Sequence, residues 1–209
     1  MPTKKSPSRK VLSEHSPAKR VIRAARGQFF AHGFRTVSMD DLAAELGMSK
    51  KTLYAYFPSK VALVEAVLKD KFREVELDLD LLASECPADV EVALHRLLAC
   101  MQRHMTEIQP PFVRDIGRET PELFQMVETR RRNLIRCHFG ALFEKGRSAG
   151  VIREDIPAHL IIEILLGAVQ ALMNPHKLTE LGLALETGYS SIIRVILEGA
   201  MSRKPRSTR

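Results

Sequence analysis

Apolar residues recur at intervals of three and four along almost the whole chain, and strict alternation never lasts the length of a strand. A period of 3.6 gathers side chains on one face only if the backbone is helical. That regularity confines the 209 residues to an all-α architecture of about nine helices with no internal repeat.

Punctuation residues mark where each helix starts and stops. Ser16 as N-cap and Pro17 in the first turn open a helix with the stripe Val21, Ile22, Ala25, Phe29 and Phe30, and Gly33 stops it. Ser38, with Asp41 three residues on as a capping-box partner, starts a short helix that buries Leu42, Ala43 and Leu46 and ends at Gly47. Ser49 caps a third, Lys50 to Phe57, burying Leu53 and Phe57. Pro58 closes it and Ser59 caps the next. That fourth helix carries Val64, Val67, Leu68, Phe72, Val75, Leu79 and Leu82 and breaks at Cys86-Pro87. A fifth stripe covers 90–108. A short helix at Phe112, Val113 and Ile116 follows Pro110-Pro111, and a long one runs from Pro121 to about Gly146. After a loop at Gly150-Val151, an apolar helix runs from Pro157 to Met173. Asn174-Pro175 separates it from a last helix, about Leu178 to Met201.

Composition excludes several classes. A chain 45% hydrophobic and 27% charged can bury a core of ordinary size. The best membrane candidate, Ile156 to Met173, is broken by Pro157, His159, Glu163 and Gln170, so no span is expected. The basic N-terminus has no apolar stretch after it, unlike a secretory signal. Three scattered cysteines (Cys86, Cys100, Cys137) make neither a disulfide framework nor a zinc site, and a cytoplasmic location is expected. His159 with Glu163 and His104 with Glu107 lack the facing Glu-x-x-His motifs of a metal bundle. Ser16 and Lys19 match S-x-x-K without its companion motifs. The expectation is therefore no metal, no cofactor and no catalytic set.

Charge divides the chain. The net charge is +7, with basic tails at 1–16 and 202–209 that read as disordered. Residues 17–62 hold eight basic groups against Asp40, Asp41 and Glu45, whereas 63–201 are net acidic. A basic head on an acidic body is the electrostatic footprint of a polyanion-binding unit joined to one with another task. The boundaries follow: a head at 17–62 and a body at 63–201.

Within the head, helix, Gly47, one residue and a Ser49-capped helix is the layout of a helix-turn-helix, in which the second helix can enter the major groove N-terminus first. Its leading end is Ser49-Lys50-Lys51-Thr52, with no acid. Tyr54 and Tyr56 follow, and Lys60 opens the next helix. Hydroxyls, lysines and helix N-termini are phosphate partners.

The run from Phe30 to Lys60, and above all Thr52-Leu53-Tyr54-x-Tyr56-Phe57-x-Ser59-Lys60 following Leu46-Gly47-x-Ser49, strongly resembles the DNA-binding head of the tetracycline-repressor (TetR) family. The close match covers about 17–65. The resemblance implies a homodimeric bacterial transcription regulator, usually a repressor, released from double-stranded operator DNA by a small molecule bound in the C-terminal domain. Thr36 or Ser38, with Tyr54, Tyr56 and Lys60, would then grip phosphates, and Lys50, Lys51 and Thr52 would be nearest the bases, with Ser49 also among the DNA-binding residues.

In the body, flexible Met and Phe side chains on helices 90–108, 112–119, 121–146 and 157–173 suit an apolar effector cavity. Met101 and Met105 are candidates for its lining, with His104, Arg114, Asn133, His138 and Gln170 as polar anchors. A dimer is expected through the last two helices. Ile161, Ile164, Leu165, Ala168 and Leu172 on one, and Tyr189, Ile192, Ile193 and Ile196 on the other, exceed what one small body must cover, and Gly167 allows close approach. Two classes stay open: a ligand-responsive DNA-binding regulator, and an all-α carrier or enzyme whose head only resembles a DNA-binding one.

Overall fold

The computed structural model describes residues 16–85, 89–172 and 175–201. Ten helices follow one another there. They are α1 (Pro17–His32), α2 (Met39–Glu45), α3 (Lys50–Tyr56), α4 (Lys60–Ser84) and α5 (Val90–Thr106), then α6 (Pro110–Glu119), α7 (Pro121–Ser148), α8 (Ala158–Leu172), α9 (Pro175–Glu180) and α10 (Leu185–Ala200). The expected all-α fold is what is found, with one isolated antiparallel bridge, Ile152 to Met201, among the described residues. The two basic tails, and the breaks placed at Cys86-Pro87 and Asn174, lie outside the described residues.

The serines named as caps do that work. Ser16, Ser38, Ser49 and Ser59 all have extended backbone, and each hydroxyl accepts from the amide three residues on. At Ser38 the box is complete: its amide also donates to Asp41 Oδ2 at 3.1 Å. Gly47 turns the chain between α2 and α3 at φ +63, a conformation that side chains with a Cβ rarely adopt.

One expected helix is two. The stripe at 178–201 reads as continuous, but α9 ends at Glu180 and α10 begins at Leu185. Gly182, at φ +65, stops the first with its amide on the Thr179 carbonyl, the Leu183 amide on that of Leu178.

Two apolar cores hold the molecule, and α4 runs through both. The first joins α1, α2, α3 and the start of α4 (Leu63, Val64, Val67, Leu68), and also takes in Phe112 and Ile116 of α6 and Leu123 of α7. The expected boundary at 62 is therefore not the edge of this core. The second gathers the far half of α4 with α5, α7, α8 and α10.

The second core corrects the expected dimer face. Ile161, Leu165, Tyr189, Ile192 and Ile193 are buried in it, and Ala168, Leu172 and Ile196 pack against it. They are taken up by the chain's own body. Two of the named positions, Ile164 and Gly167, are exposed, and with them stand Leu160 on α8 and Val195 on α10, the latter 71% exposed. A stripe shows that a face is buried but not against which chain.

Candidate nucleic-acid interface

The head is assembled so that one short helix protrudes. Of the seven residues of α3, Leu53 alone is buried, with no exposed surface at all. It anchors α3 beside Leu42 in the first core, while Lys50, Lys51, Thr52, Tyr54, Ala55 and Tyr56 face solvent. Tyr54 and Tyr56 are 46% and 42% exposed, far more than core tyrosines would be. The cap hydroxyl of Ser49 and that of Thr52 lie 2.8 Å apart and share one proton between them, which leaves the other free to donate outward.

The sequence-predicted contacts divide on this geometry. Lys51 has no ion-pair partner among the described residues and stands at the leading end of α3. Lys50, its neighbour, reaches back to α2, where its Nζ lies 2.5 Å from Asp40 Oδ2. That pair ties the two helices of the motif together. Hydrogen bonding to Asp40, and then its charge, raise the Lys50 ammonium above the usual lysine range. The pair is exposed, so its energetic value is small, but it occupies the cation with an acid of its own head.

Thr36 and Ser38 are committed elsewhere. The Thr36 hydroxyl donates to the carbonyl of His32 (2.8 Å) or Gly33 (3.1 Å), closing the end of α1. The Ser38 hydroxyl donates to Asp41 Oδ2 at 2.6 Å, and this bond, with the one from the Ser38 amide, holds the Asp41 carboxyl below the usual carboxylate range. A hydroxyl has one proton and a phosphate oxygen only accepts, so neither side chain can donate to a phosphate without giving up the bond it now donates. Lys60 donates to the carbonyls of Val37 (3.1 Å) and Arg35 (3.4 Å), with its ammonium 6.0 Å from the Phe34 ring centre. Two of its three protons hold the α1–α2 loop; one is left to reach outward.

Behind the head lies a joint that sequence reading missed. Arg26 of α1 donates from Nε to Glu107 of α5 (3.0 Å) and from its terminal nitrogens to Glu107 and to Glu74 of α4. Lys71 of α4, 4% exposed, pairs with Glu107 and donates to His104 Nδ1 at 2.9 Å. His104 Nε2 lies 3.0 Å from Asp78 Oδ2. With Lys71 donating to Nδ1, the imidazole is neutral with its proton on Nε2, shared with Asp78. Burial, and then the Lys71 ammonium, push His104 below the usual histidine range. Arg26 bonds Glu74 below the usual carboxylate range. Glu107 is held low as well, where burial alone would raise it, because Arg26 and Lys71 outweigh burial. His104 thus faces α4 and this joint rather than serving as an effector anchor.

A second connection runs through α6. The Asp115 carboxylate accepts from the Arg35 amide at 2.9 Å, the Gln109 amide donates to Phe30 O at 3.0 Å, and the Phe112 ring meets Phe30 edge-on at 4.8 Å. Gly33 at the end of α1 is required twice over: its φ is +80, and a Cβ there would lie 2.5 Å from Asp115 Oδ2.

The other expected effector residues scatter. Met101 is in the second core and Met105 is half-buried, whereas Arg114, Asn133 and Gln170 face outward, Gln170 accepting from Arg132. His138 lines a groove formed by α4, α5 and α7. A larger groove, about 470 Å³, lies between α5 and α10.

Comparison with known proteins agrees with this architecture. Residues 21–67 match the family of bacterial regulatory proteins named for tetR. The HTH-type transcriptional repressor SCO4008 of Streptomyces coelicolor is 29% identical over 147 residues, 70% of this chain and 73% of that protein. Among solved structures, a TetR-family regulator from Agrobacterium tumefaciens superposes with a TM-score of 0.68 at 18% identity, covering 91% of this chain and all of that one. A transcriptional regulator from Saccharomonospora viridis, solved with choline, also gives 0.68, at 20% identity over 89% of this chain and 98% of its own. With α3 mounted outward by Leu53, a Ser49-capped leading end and the match over residues 21–67, the head of this chain is similar to that of the bacterial regulatory proteins of the tetR family.

Proposed function

We propose that this chain is a homodimeric repressor that binds a palindromic operator through α3 and leaves it when a small, largely apolar effector occupies the body. The observation that carries the reading is the outward face of α3, where Lys51, Thr52, Tyr54 and Tyr56 are exposed and no acid intervenes. In the major groove Lys51 is placed to donate to guanine O6 or N7, while Tyr54, Tyr56 and the remaining proton of Lys60 meet phosphates.

Dimerisation is supported by the apolar residues that α8 and α10 leave uncovered. Leu160, Ile164 and Gly167 follow one another at four and three residues on α8, with Val195 on α10. Two such surfaces facing across a two-fold axis form a four-helix arrangement, and a stable interface buries roughly 1,200 Å² or more. The axis brings two α3 helices to successive major grooves, ~34–36 Å apart. Among the described residues no helix is long and apolar enough to cross a membrane. That, with the DNA target, supports work in the cytoplasm. An effector can release DNA only by preferring the conformation in which the heads are misplaced. The joint at Arg26 and the seat of α6 on Phe30 are the contacts through which such a preference reaches the heads.

The test is a gel shift with DNA from upstream of the chain's own gene, against excess random DNA. A complex that survives the competitor is expected. Equal competition by random DNA would favour the second class, an all-α carrier or enzyme.

A further inference from the structure

The groove between α4, α5 and α7 is small, about 140 Å³, well below the size of pockets that take drug-sized ligands. It suits a single ring or a short branched chain. Leu82 of α4, Leu97 of α5 and Leu142 of α7 form its apolar lining. The polar residues around it are of one kind: Arg96, Lys145 and His138. His138 is a buried side chain, 7% exposed, and the one carboxylate within ion-pair range among the described residues is Asp80, 3.8 Å away, too far for a hydrogen bond. Asp80 is itself 66% exposed and so is easily turned away. The groove thus offers an apolar slot, a buried ring nitrogen without a close acceptor, and two cationic side chains at its mouth.

We infer that this groove is the effector site and that its ligand is a compact apolar carboxylate. The assignment rests on the effector-responsive reading above and narrows it to one ligand class. The hydrocarbon part lies against the leucines, and the carboxylate accepts from His138 and pairs with Arg96. Charge-assisted bonds to a carboxylate discriminate strongly against a neutral analogue of the same shape. The ligand would lie against Leu82 and Ala83 near the end of α4, the helix that carries Lys71 and Glu74 in the joint and Lys60 at the head. A body that prefers the ligand-filled groove therefore repositions the helix on which the head is mounted.

The test is calorimetric titration of the full chain with benzoate, and with benzamide as its neutral isostere, beside a DNA-binding titration of each sample. Benzoate should bind about tenfold or more tightly than benzamide. Arg96→Gln should bring the two ligands together. Ala141→Phe, which fills the groove from an exposed helix position, should abolish both, with DNA binding retained in each variant. Benzoate should also weaken DNA affinity of the unaltered chain. Equal binding of benzamide and benzoate, or benzoate binding that survives Ala141→Phe, would overturn the assignment. Benzoate binding without any change in DNA affinity would overturn the effector role. Absence of benzoate binding in a chain that still binds DNA would refute the groove and leave the regulator standing; loss of DNA binding by the unaltered chain would refute the regulator itself.

Discussion

Two lysines nine residues apart have different surroundings. Lys51 is exposed on α3 with no ion-pair partner among the described residues, whereas Lys60 spends two protons on the carbonyls of Arg35 and Val37. Lys51→Ala should leave the thermal midpoint unchanged and lower the operator-to-random affinity ratio by a contact worth roughly 1–3 kcal/mol. Lys60→Ala should weaken operator and random DNA in proportion, reduce the salt slope by about 0.9 in each, and lower the thermal midpoint by loosening the α1–α2 loop. Parallel binding and melting curves distinguish them, and a Lys51→Ala ratio equal to that of the unaltered chain would show that the helix reads no base through this residue. Much of the head was legible in the sequence because its signals are local. Ser38, Ser49 and Gly47 act within a few residues of themselves. The pairing of Lys50 with Asp40 was not legible, because it depends on the crossing of two helices. The same holds for Thr36 and Ser38, whose hydroxyl protons are used on neighbours that only the folded turn brings near.

Between elements, the deciding feature is the part-buried charge joint of α1, α4 and α5, in which Lys71 and His104 are the buried members. Its members come from three helices far apart in the chain, so although His104 and Glu107 stand out as a local pair, no pattern in the sequence joins them to Arg26 and Lys71. His104, on an apolar stripe, reads as a cavity anchor until Lys71 and Asp78 are seen on either side of its ring. A histidine held below its ordinary value of 6.5 favours folding while it stays neutral. The stability it contributes is complete above that value and is lost as pH falls toward the depressed one, since the unfolded chain takes up the proton first. Chemical denaturation between pH 7.5 and pH 5 should therefore show stability falling with acid, and His104→Gln should flatten that fall. An unchanged slope in the variant would assign the acid sensitivity to other groups. Glu107→Gln leaves Arg26 and Lys71 sharing Glu74 alone, and should cost about 2 kcal/mol in the same measurement. Its failure to destabilise would mean that solvent already satisfies both cations.

For the whole molecule, binding a palindromic operator as proposed takes two copies of the chain. The stripe on α8 and α10 was visible in the sequence, yet its strongest residues turned inward, because helix periodicity gives the width of a buried face and not the identity of what covers it. Ile164, 51% exposed, is the most direct probe of the uncovered remainder. Ile164→Asp should give monomers by light scattering at micromolar concentration with the helical signal intact; a dimer of unchanged mass would place the interface elsewhere. In the proposed dimer the same two-fold axis would tie the body to the DNA target, with each head on one half-site and the spacing between them set by the dimer. Once the operator is mapped, the decisive measurement is the affinity of the unaltered chain for that operator against a version with five base pairs inserted between the half-sites. The insertion turns one half-site about half a helical turn away without altering either sequence. The account predicts that affinity falls to near that of random DNA. Equal affinity for both would contradict it, because a symmetric pair of α3 helices cannot follow half-sites on opposite faces of the duplex.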